Sequence, residues 1–216
     1  MNINKLIYYK DRYIKGLIRM EDCLKIWSIQ PKEVINEIHN NGFVVCDPVK
    51  IGDWFGNEYD KFKPAYDWLV KRMSEKIGKP DHVRYPLWGW YIRDWRNKKP
   101  DLRNIGYGRP GDIQYCIECE IPVKEIVLTD FQEWNCVLND FPLFVVDSDE
   151  EYERIYDKFS NLSTEEQEKY KRDSWNQVFD IAPFNNGYRI KGKYVQATFW
   201  ELRKEYIKKV TKFKVR

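Results

Sequence analysis

The segment IQYCIECEI, residues 113–121, constrains the fold more than any other, because polar and apolar residues alternate through it without a break. Successive side chains of a β-strand point to opposite faces, so this alternation predicts a strand with one apolar and one polar face. The expected apolar face carries Ile113, Tyr115, Ile117, Cys119 and Ile121, and the polar face carries Gln114, Cys116, Glu118 and Glu120. A β-sheet is therefore part of the fold.

The same alternation bears on the Cys116-x-x-Cys119 spacing. A zinc or redox site needs both sulfur atoms on one side, but residues three apart in a strand lie on opposite faces. The chain has five cysteines without a dense pattern, and its only histidines are His39 and His82. We therefore expect reduced, mostly buried thiols and no metal site.

The order of the remaining elements predicts the fold class. Further strands are predicted at residues 24–29, 43–46, 87–93, 125–128, 194–201 and 208–215. Helices are predicted from Pro31 to Gly42, from Pro64 to Gly78, and after the capping residues Asp130, Ser148 and Ser163, the last running towards Phe179. This order predicts a single α+β domain over residues 21–216, with flanking helices and a mixed or mostly antiparallel sheet. Two small sheets that form a cleft are an alternative arrangement of the same strands.

Residues 1–20 form a separate basic extension, with Lys5, Lys10, Arg12, Lys15 and Arg19 against Asp11. An ordered helix, a frayed arm and a misread start are all open interpretations of it. The extension lacks the uninterrupted apolar run of a signal peptide, and no stretch of the chain approaches the roughly 20 apolar residues of a membrane-spanning helix. We therefore expect a cytoplasmic protein without a membrane partner.

Charge is unevenly distributed along the chain. Residues 84–110 contain seven Lys or Arg against two Asp, and residues 201–216 contain seven against two Glu. Residues 118–168 between them contain fifteen acids against three bases. The two basic segments predict an anion-attracting face, and ordinary solvated surfaces of opposite sign are the alternative.

The Trp-rich segment at 87–93 and the long loop after it suggest a ligand. On a regular strand Trp88, Trp90 and Ile92 share one face, expected in the core, and Gly89, Tyr91 and Arg93 share the other. Lys99 and Arg103 follow in the loop 94–112, whose length predicts either function or disorder. A ring beside cations suits a nucleotide, because the ring stacks on a base and the cations contact phosphates. A Trp-rich core strand followed by a solvated basic loop is the alternative.

The segment at 194–201 is a second candidate for the wall of a binding cleft. Its apolar positions, Val195, Ala197 and Phe199, are expected to be buried. Gln196, Thr198 and Trp200 share the opposite face, and Glu201 lies just beyond. An exposed sheet face is the alternative interpretation of this row.

Five segments in this order resemble a bacterial family catalogued only as a domain of unknown function, family 3841. They are KIWSIQPKEVI, AYDWLVKRM, YPLWGWY with KKPDLR, LTDFQEWNCVLN and YVQATFWEL. The resemblance extends over about residues 20–213. It implies a shared fold and no particular activity.

A second resemblance is at the level of architecture. The opening strand and helix with Asn-Gly after them, and the closing segment QATFWELRKEYIKKVTKF, resemble ADP-ribosyltransferase-like domains, which bind NAD between two small sheets. The resemblance implies NAD as the ligand, catalytic positions at Gln196, Thr198 and Glu201, and ligand contacts from Trp27, Ser28 or Gln30. The chain departs from that pattern, since it lacks the usual His or Arg in the first strand and the glutamate at its usual place.

Three classes of function follow, and the oligomeric state stays open. The first is an ADP-ribosyltransferase-like enzyme, acting as a toxin or defence effector. The second is a non-catalytic nucleotide-binding or nucleic-acid-binding domain, and the third is a protein-interaction domain. The first class predicts convergence on one cleft of Trp27, Gln30, Tyr91, Arg93, Lys99, Gln196 and Trp200.

Overall fold

The computed structural model describes residues 22–49, 56, 59–104 and 106–216, so the predicted extension at 1–20 lies outside the described residues. The strands are β1 (Cys23–Pro31), β2 (Phe43–Val45), β3 (Leu87–Arg93), β4 (Ile113–Pro122), β5 (Val127–Asp130), β6 (Phe184–Asn185), β7 (Ile190–Lys191), β8 (Tyr194–Phe199), β9 (Glu201–Arg203) and β10 (Ile207–Lys214). The helices are α1 (Lys32–Asn41), α2 (Tyr59–Ile77), α3 (Phe131–Leu138), α4 (Asp149–Ser160) and α5 (Thr164–Ser174). Short 3-10 turns lie at Val123–Glu125, Trp175–Phe179 and Lys204–Tyr206.

Six strands form one sheet in the order β10-β4-β1-β3-β8-β5. Every neighbouring pair in it is antiparallel. The predicted α+β fold with a mostly antiparallel sheet is therefore confirmed. Two-stranded sheets form between β2 and β9 and between β6 and β7. The two strands predicted to wall a cleft, β3 and β8, are direct neighbours in the large sheet.

Both faces of the large sheet are covered, as the strand patterns require. The first face carries Ile117 and Cys119 and packs against α1 and the β2–β9 sheet, through Val34 and Leu202 among others. The second face carries Trp88 and packs against α2, α3 and the turn at Trp175–Phe179. Removing apolar surface from water stabilises the folded state by about 25 cal/mol per Å². Because apolar side chains are buried on both faces of the sheet, this layered centre is the main source of stability.

Strand β4 shows the predicted alternation. It pairs with β1 without a break from Gln114 to Pro122. Cys119 belongs to the first core, whereas Cys116 lies on the second face of the sheet. The two thiols therefore point to opposite sides, and all five cysteines are free.

Strand β3 departs from the predicted alternation because of a bulge between Trp90 and Ile92. A bulge inserts an extra residue and shifts the faces of the positions that follow. Tyr91 and Ile92 both pack in the first core. Arg93 lies over the ring of Trp90, with 4.4 Å between its guanidinium carbon and the ring centroid. The prediction that Tyr91 and Arg93 share a face is therefore wrong.

Of two predicted helix starts, one changes in the structure and one is confirmed. Helix α2 begins at Tyr59 and contains Pro64, which was predicted to be its first residue. The earlier turn is held by a tertiary contact, since the hydroxyls of Tyr59 and Tyr85 lie 3.3 Å apart. Asp130 caps α3 as predicted, at 2.9 and 3.1 Å from the backbone nitrogens of Gln132 and Glu133.

Two predicted elements are shorter than the sequence pattern suggests. Helix α5 has the predicted capping box of Ser163 and Glu166, but it ends at Ser174. There the indole of Trp175 donates to the carbonyl of Phe141 at 2.8 Å, and a 3-10 turn follows. The strand predicted at 194–201 breaks at Trp200, where the chain passes from the large sheet to the β2–β9 sheet.

Membrane insertion by a helix has no support in the described part of the chain. None of its helices combines the length and the hydropathy that crossing a bilayer requires.

Candidate nucleic-acid interface

A strained turn follows β3. Asp94 and Trp95 have φ values of 51° and 64°, in the left-handed region. The backbone nitrogen of Arg93 donates to the carbonyl of Arg96 at 2.8 Å, and the reverse bond is 3.2 Å long. Two positive φ values inside a two-residue hairpin turn are typical of type I′, which favours Asn-Gly. A bulky residue here costs about 1–2 kcal/mol, so Trp95 is held in an unfavourable conformation.

The turn presents an aromatic ring between cations. The Trp95 side chain is 39% exposed, although tryptophan is among the residues most often packed away from water. Arg93 precedes the turn on the ring of Trp90, and Arg96 follows it. Lys98 is 3.3 Å from the Asp94 carboxylate. The result is an exposed indole at a turn whose two flanking residues, Arg93 and Arg96, are both cationic.

The loop after the turn packs across the second face of the sheet. The side-chain amide of Asn97 donates to the carbonyls of Tyr91 at 2.6 Å and Lys25 at 3.0 Å. Lys99 donates to the Thr211 hydroxyl of β10 at 3.1 Å. The loop therefore spans from β3 over β1 to the edge strand.

The end of the loop is joined to β10 by a ring contact and by backbone hydrogen bonds. The ring of Tyr107 meets that of Phe213 edge to face, with 6.0 Å between centroids. The Gly111 nitrogen donates to the Val215 carbonyl at 3.0 Å, and the Val215 nitrogen donates to the Asp112 carbonyl at 2.9 Å. The two basic segments of the sequence are thus brought together in space.

We define the basic surface as Trp95 with six bases around and beyond it: Arg93, Arg96, Lys98, Lys99, Lys208 and Lys209. Two of these bases are paired, Lys98 with Asp94 and Lys208 with Glu120, each at 3.3 to 3.4 Å. Among the described residues no carboxylate forms an ion pair with the other four, Arg93, Arg96, Lys99 and Lys209. The charge of Arg93, Arg96 and Lys99 is available to an anionic ligand, and Lys209 also acts on the nearby Glu118.

One carboxylate, Glu118, lies beside this surface and is neutralised from several sides. It accepts a hydrogen bond from the indole of Trp27 at 3.0 Å and lies 3.4 Å from the Lys25 ammonium. Burial raises the pKa of Glu118, but the hydrogen bonds from Trp27 and Lys25 and the charge of Lys209 outweigh burial and lower it. Glu118 therefore stays ionised and fixes Trp27 in the sheet.

The predicted site residues do not gather in one cleft. On the second face of the sheet lie Trp27, Arg93, Lys99 and Gln196; Gln196 is opposite Trp90 in the β3–β8 ladder. Arg103 is in the exposed loop, 2.7 Å from Asp101. The other predicted residues lie on the first face or near the end of β8.

Ser28, Gln30 and Tyr91 are on the first face. The Ser28 hydroxyl donates to the Trp88 carbonyl at 2.7 Å and accepts from the Gln30 amide at 2.8 Å. Tyr91 is 6% exposed, within the first core. Ser28 and Tyr91 are buried, and the half-buried Gln30 is bonded to Ser28.

The end of β8 holds a third group of predicted residues. The Thr198 hydroxyl is fully buried and donates to the Val127 carbonyl at 3.0 Å. The Trp200 indole donates to the Gly78 carbonyl. Glu201 lies one residue further, at a cavity.

That cavity has a volume of about 280 Å³. Its polar lining includes Lys79 and Glu125 beside Glu201 and Arg203. Glu201 accepts from the Arg203 guanidinium at 2.8 Å and lies 3.0 Å from Nε2 of His82. A carboxylate between an imidazole and a guanidinium can polarise or orient a small polar ligand.

A buried charge cluster links α3 to β7. Lys191 is 3% exposed, with its ammonium 2.7 Å from Asp180 and 3.6 Å from Glu133. Burial raises the pKa of Glu133 to about 7, with Asp130 and Asp180 adding to the effect and Lys191 opposing it. Asp130 also accepts from the Gly192 nitrogen at 2.7 Å. These groups pair with one another and stabilise the contact between α3 and the segment around β7.

Sequence reasoning named Trp95 as an aromatic among the basic residues and His82 as a possible base, but it missed the positive φ of Trp95, the His82–Glu201 contact and the Glu133–Lys191 cluster. The positive φ of Trp95 has no local signal, because Asp-Trp is not a turn dipeptide that favours this conformation. The other two depend on tertiary contacts between distant segments. In the described part of the chain, no group of three or more His, Cys, Asp or Glu side chains is arranged to hold a metal.

Comparison with known proteins gives one match. The sequence model of the family described as Domain of unknown function (DUF3841) matches residues 25–208. No curated protein and no solved structure matches the chain. The predicted resemblance to family 3841 is confirmed, and the resemblance to ADP-ribosyltransferase-like domains stays a prediction.

Proposed function

We propose that the basic surface binds single-stranded nucleic acid. The chain belongs to the family described as Domain of unknown function (DUF3841), and because that description names no activity, the proposal rests on the site itself. The observation that carries the proposal is the exposed Trp95 ring, held at positive φ between Arg93 and Arg96. Strained residues persist where they have a role, and glycine would fit this backbone without strain.

The chemistry of the surface favours a single strand. An exposed indole can stack on a base only if that base is unstacked from its neighbours, as in single strands. Guanidinium and ammonium groups at Arg93, Arg96 and Lys99 match the phosphates on either side. The modest net charge of +3 does not oppose this binding, because Lys and Arg side chains are concentrated on one surface.

Binding of a fluorescein-labelled oligothymidine, followed by anisotropy, tests the proposal. Four Lys and Arg side chains of the basic surface form no ion pair with any carboxylate in the described part of the chain. If all four contact phosphates, log Kd should rise with log salt with a slope of roughly three. Trp95→Gly is expected to weaken binding about tenfold or more, because base stacking contributes about 1–3 kcal/mol. Glycine accepts the positive φ, so the turn is retained.

Two comparisons control this experiment. Tyr156→Ser removes an exposed ring far along the chain in an acidic segment and should leave the affinity unchanged. A duplex of the same length should bind more weakly than the single strand. Salt-insensitive binding, no binding at low salt, or equal affinity of Trp95→Gly and the unaltered protein would each reject the proposal.

A second candidate is NAD binding with ADP-ribosyl transfer, and the Glu201 cavity is the observation that favours it. Glu201 would stabilise the positive charge that develops on the ribose as the bond to nicotinamide breaks. Release of nicotinamide and an NAD-induced rise in melting temperature, both lost in Glu201→Gln, are the expected results. Neither signal in the unaltered protein would remove this candidate.

A further inference from the structure

The α4–α5 hairpin differs from the other helices because it buries no side chain. Helix α4 carries Tyr152, Ile155, Tyr156 and Phe159, an amphipathic spacing, yet none of its residues is buried. Helix α5 likewise has no buried residue. Helices in proteins are stabilised mainly by packing an apolar face, so the part of this face that its own chain leaves exposed is available for another partner.

One aromatic side chain from outside the hairpin packs against both of its helices. The Phe144 ring contacts four rings of the hairpin, with centroid separations of 5.5 to 6.5 Å: Tyr152, Tyr156, Phe159 and Tyr170. Tyr152 and Tyr156 remain 41% and 48% exposed, and Val145 beside Phe144 is 44% exposed. Apolar surface is concentrated here instead of being scattered.

A groove of about 440 Å³ lies against the hairpin. Its apolar lining comprises Leu143, Val145, Ile155, Leu162 and Tyr170. Glu166, Lys169 and Asp173 of α5 line it at helical spacing. Positions 166 to 173 span about 10 Å of helix, so the groove follows about two turns of α5.

The surroundings of the groove are acidic. Residues 147–168 contain nine Asp or Glu against Arg154 and Lys158. Among the described residues, two acidic side chains, Glu166 and Asp173, line the groove itself, and its one lining lysine, Lys169, is paired with Asp173 at 2.7 Å. An apolar groove with an acidic border is complementary to an apolar face flanked by Lys or Arg.

We propose that this groove binds an amphipathic helix of a partner protein, with leucine-like side chains in the groove and basic residues towards the acidic border. Laying an apolar helix face into a groove is a recurring mode of recognition. A nucleic acid is disfavoured by the negative charge. A second copy of the chain is disfavoured too, since a two-fold interface would place this acidic patch against itself.

The probe is a capped, labelled peptide of about 14 residues with leucine at i, i+3, i+4 and i+7 and lysine elsewhere. We expect saturable binding by anisotropy. Val145→Asp, at an exposed position that tolerates a polar side chain, should weaken binding about tenfold or more. The double variant Glu166→Lys with Asp173→Lys, which reverses both acidic side chains of the groove lining, should also weaken it, most strongly at low salt.

Matched controls separate this site from general attraction of a basic peptide to the protein. Glu33→Lys with Glu37→Lys makes the same charge change on α1, outside the groove, and should leave the affinity unchanged. A shuffled peptide of equal composition should bind weakly, because it lacks a continuous apolar face. Unchanged affinity in Val145→Asp, or equal binding of the shuffled peptide, would overturn the proposal.

A second copy of the chain is the other possible occupant of the groove, and a further experiment distinguishes it. Sedimentation over a range of concentrations should show the same mass for the unaltered protein and for Val145→Asp. A concentration-dependent dimer that Val145→Asp abolishes would assign the groove to a second copy and overturn the proposal. Circular dichroism of each variant verifies that the helices are retained.

Discussion

The six-stranded sheet and the α4–α5 hairpin both arise from amphipathic segments, but only the sheet buries its apolar residues. Ile117 on β4 and Ala197 on β8 have no exposed surface, whereas Tyr156 on α4 is 48% exposed. The difference lies in what covers each element: the sheet has helices or loops on both faces, and the hairpin has Phe144. An amphipathic pattern therefore indicates an interface without specifying whether the partner belongs to the same chain.

The largest expected effect on stability is at the centre of the sheet. A Cβ atom on Gly89 would lie 2.4 Å from Cγ2 of Ile26, a fully buried side chain. Gly89→Val should therefore lower the free energy of unfolding by about 3 kcal/mol, at the upper end of the cost of overpacking. Urea denaturation measures it. Lys212→Val adds the same side chain at an exposed position of β10, and an equally large loss there would contradict this view.

The second effect depends on pH and contrasts Glu133 with the carboxyls of the hairpin. The pKa of Glu133 is raised from 4.5 to about 7 by burial, so the folded state keeps a proton that the unfolded chain releases. The free energy of unfolding should fall as the pH rises between these values, by about 3 kcal/mol. Glu133→Gln should remove this fall, raising the melting temperature at pH 8 but not at pH 4.

The hairpin should respond in the opposite direction. The hydroxyl and backbone nitrogen of Ser163 lower the pKa of the exposed Glu166, so its contribution is present near neutral pH and is lost on acidification. Glu166→Gln should therefore leave the pH 8 to pH 6 dependence of the unaltered protein in place. If Glu166→Gln abolished that dependence and Glu133→Gln did not, the assignment to Glu133 would be wrong.

A smaller effect is expected at the start of α5. Ser163 accepts from the Glu166 nitrogen at 3.3 Å, and the Glu166 carboxylate accepts from the Ser163 nitrogen at 2.9 Å. Ser163→Ala should cost about 1 kcal/mol of local helix stability. Hydrogen exchange of α5 amides should report the loss, while amides of β4 and β8 keep their protection. Equal loss in both regions would show that the hairpin and the sheet unfold as one unit.

The smallest effect is predicted for the exposed ring of Tyr156. Tyr156→Ser removes a ring that stacks on Tyr152 at 5.9 Å between centroids but is half exposed. The change in the free energy of unfolding should stay within about 0.5 kcal/mol. A loss comparable with that of Gly89→Val would mean that the rings around Phe144 act as part of the core. The hairpin and the sheet would then contribute more equally to stability than their burial suggests.

Local patterns predicted much of the fold. The alternation in β4, the αL cap at Gly42 and the capping box at Ser163 and Glu166 are all present. Each depends on residues within one turn or one strand, where backbone sterics and hydrogen bonding act directly. The start of α2 and the end of α5 were wrong, because contacts of Tyr85 and Phe141 from elsewhere in the chain determine them.

The candidate site was predictable only as composition. The two basic segments were recognised, and their contact through Lys99 and Thr211 was not, because more than a hundred residues separate them. The bulge in β3 placed Ile92 beside Tyr91 in the first core and Arg93 onto Trp90, although no residue of this strand signals a bulge in the sequence. The positive φ of Trp95 was not predicted, because it depends on the turn that the tertiary structure imposes.

The sequence by itself determined the α+β class, the faces of β4 and β8, and the presence of basic and acidic regions, since these follow from periodicity and charge. Only the tertiary structure decided which surfaces those regions form. Strand pairing placed β3 beside β8, the loop 94–112 joined the basic segments across the sheet, and incomplete cover left the acidic hairpin open. Contacts between distant segments depend on the whole packed chain, and no local pattern encodes them.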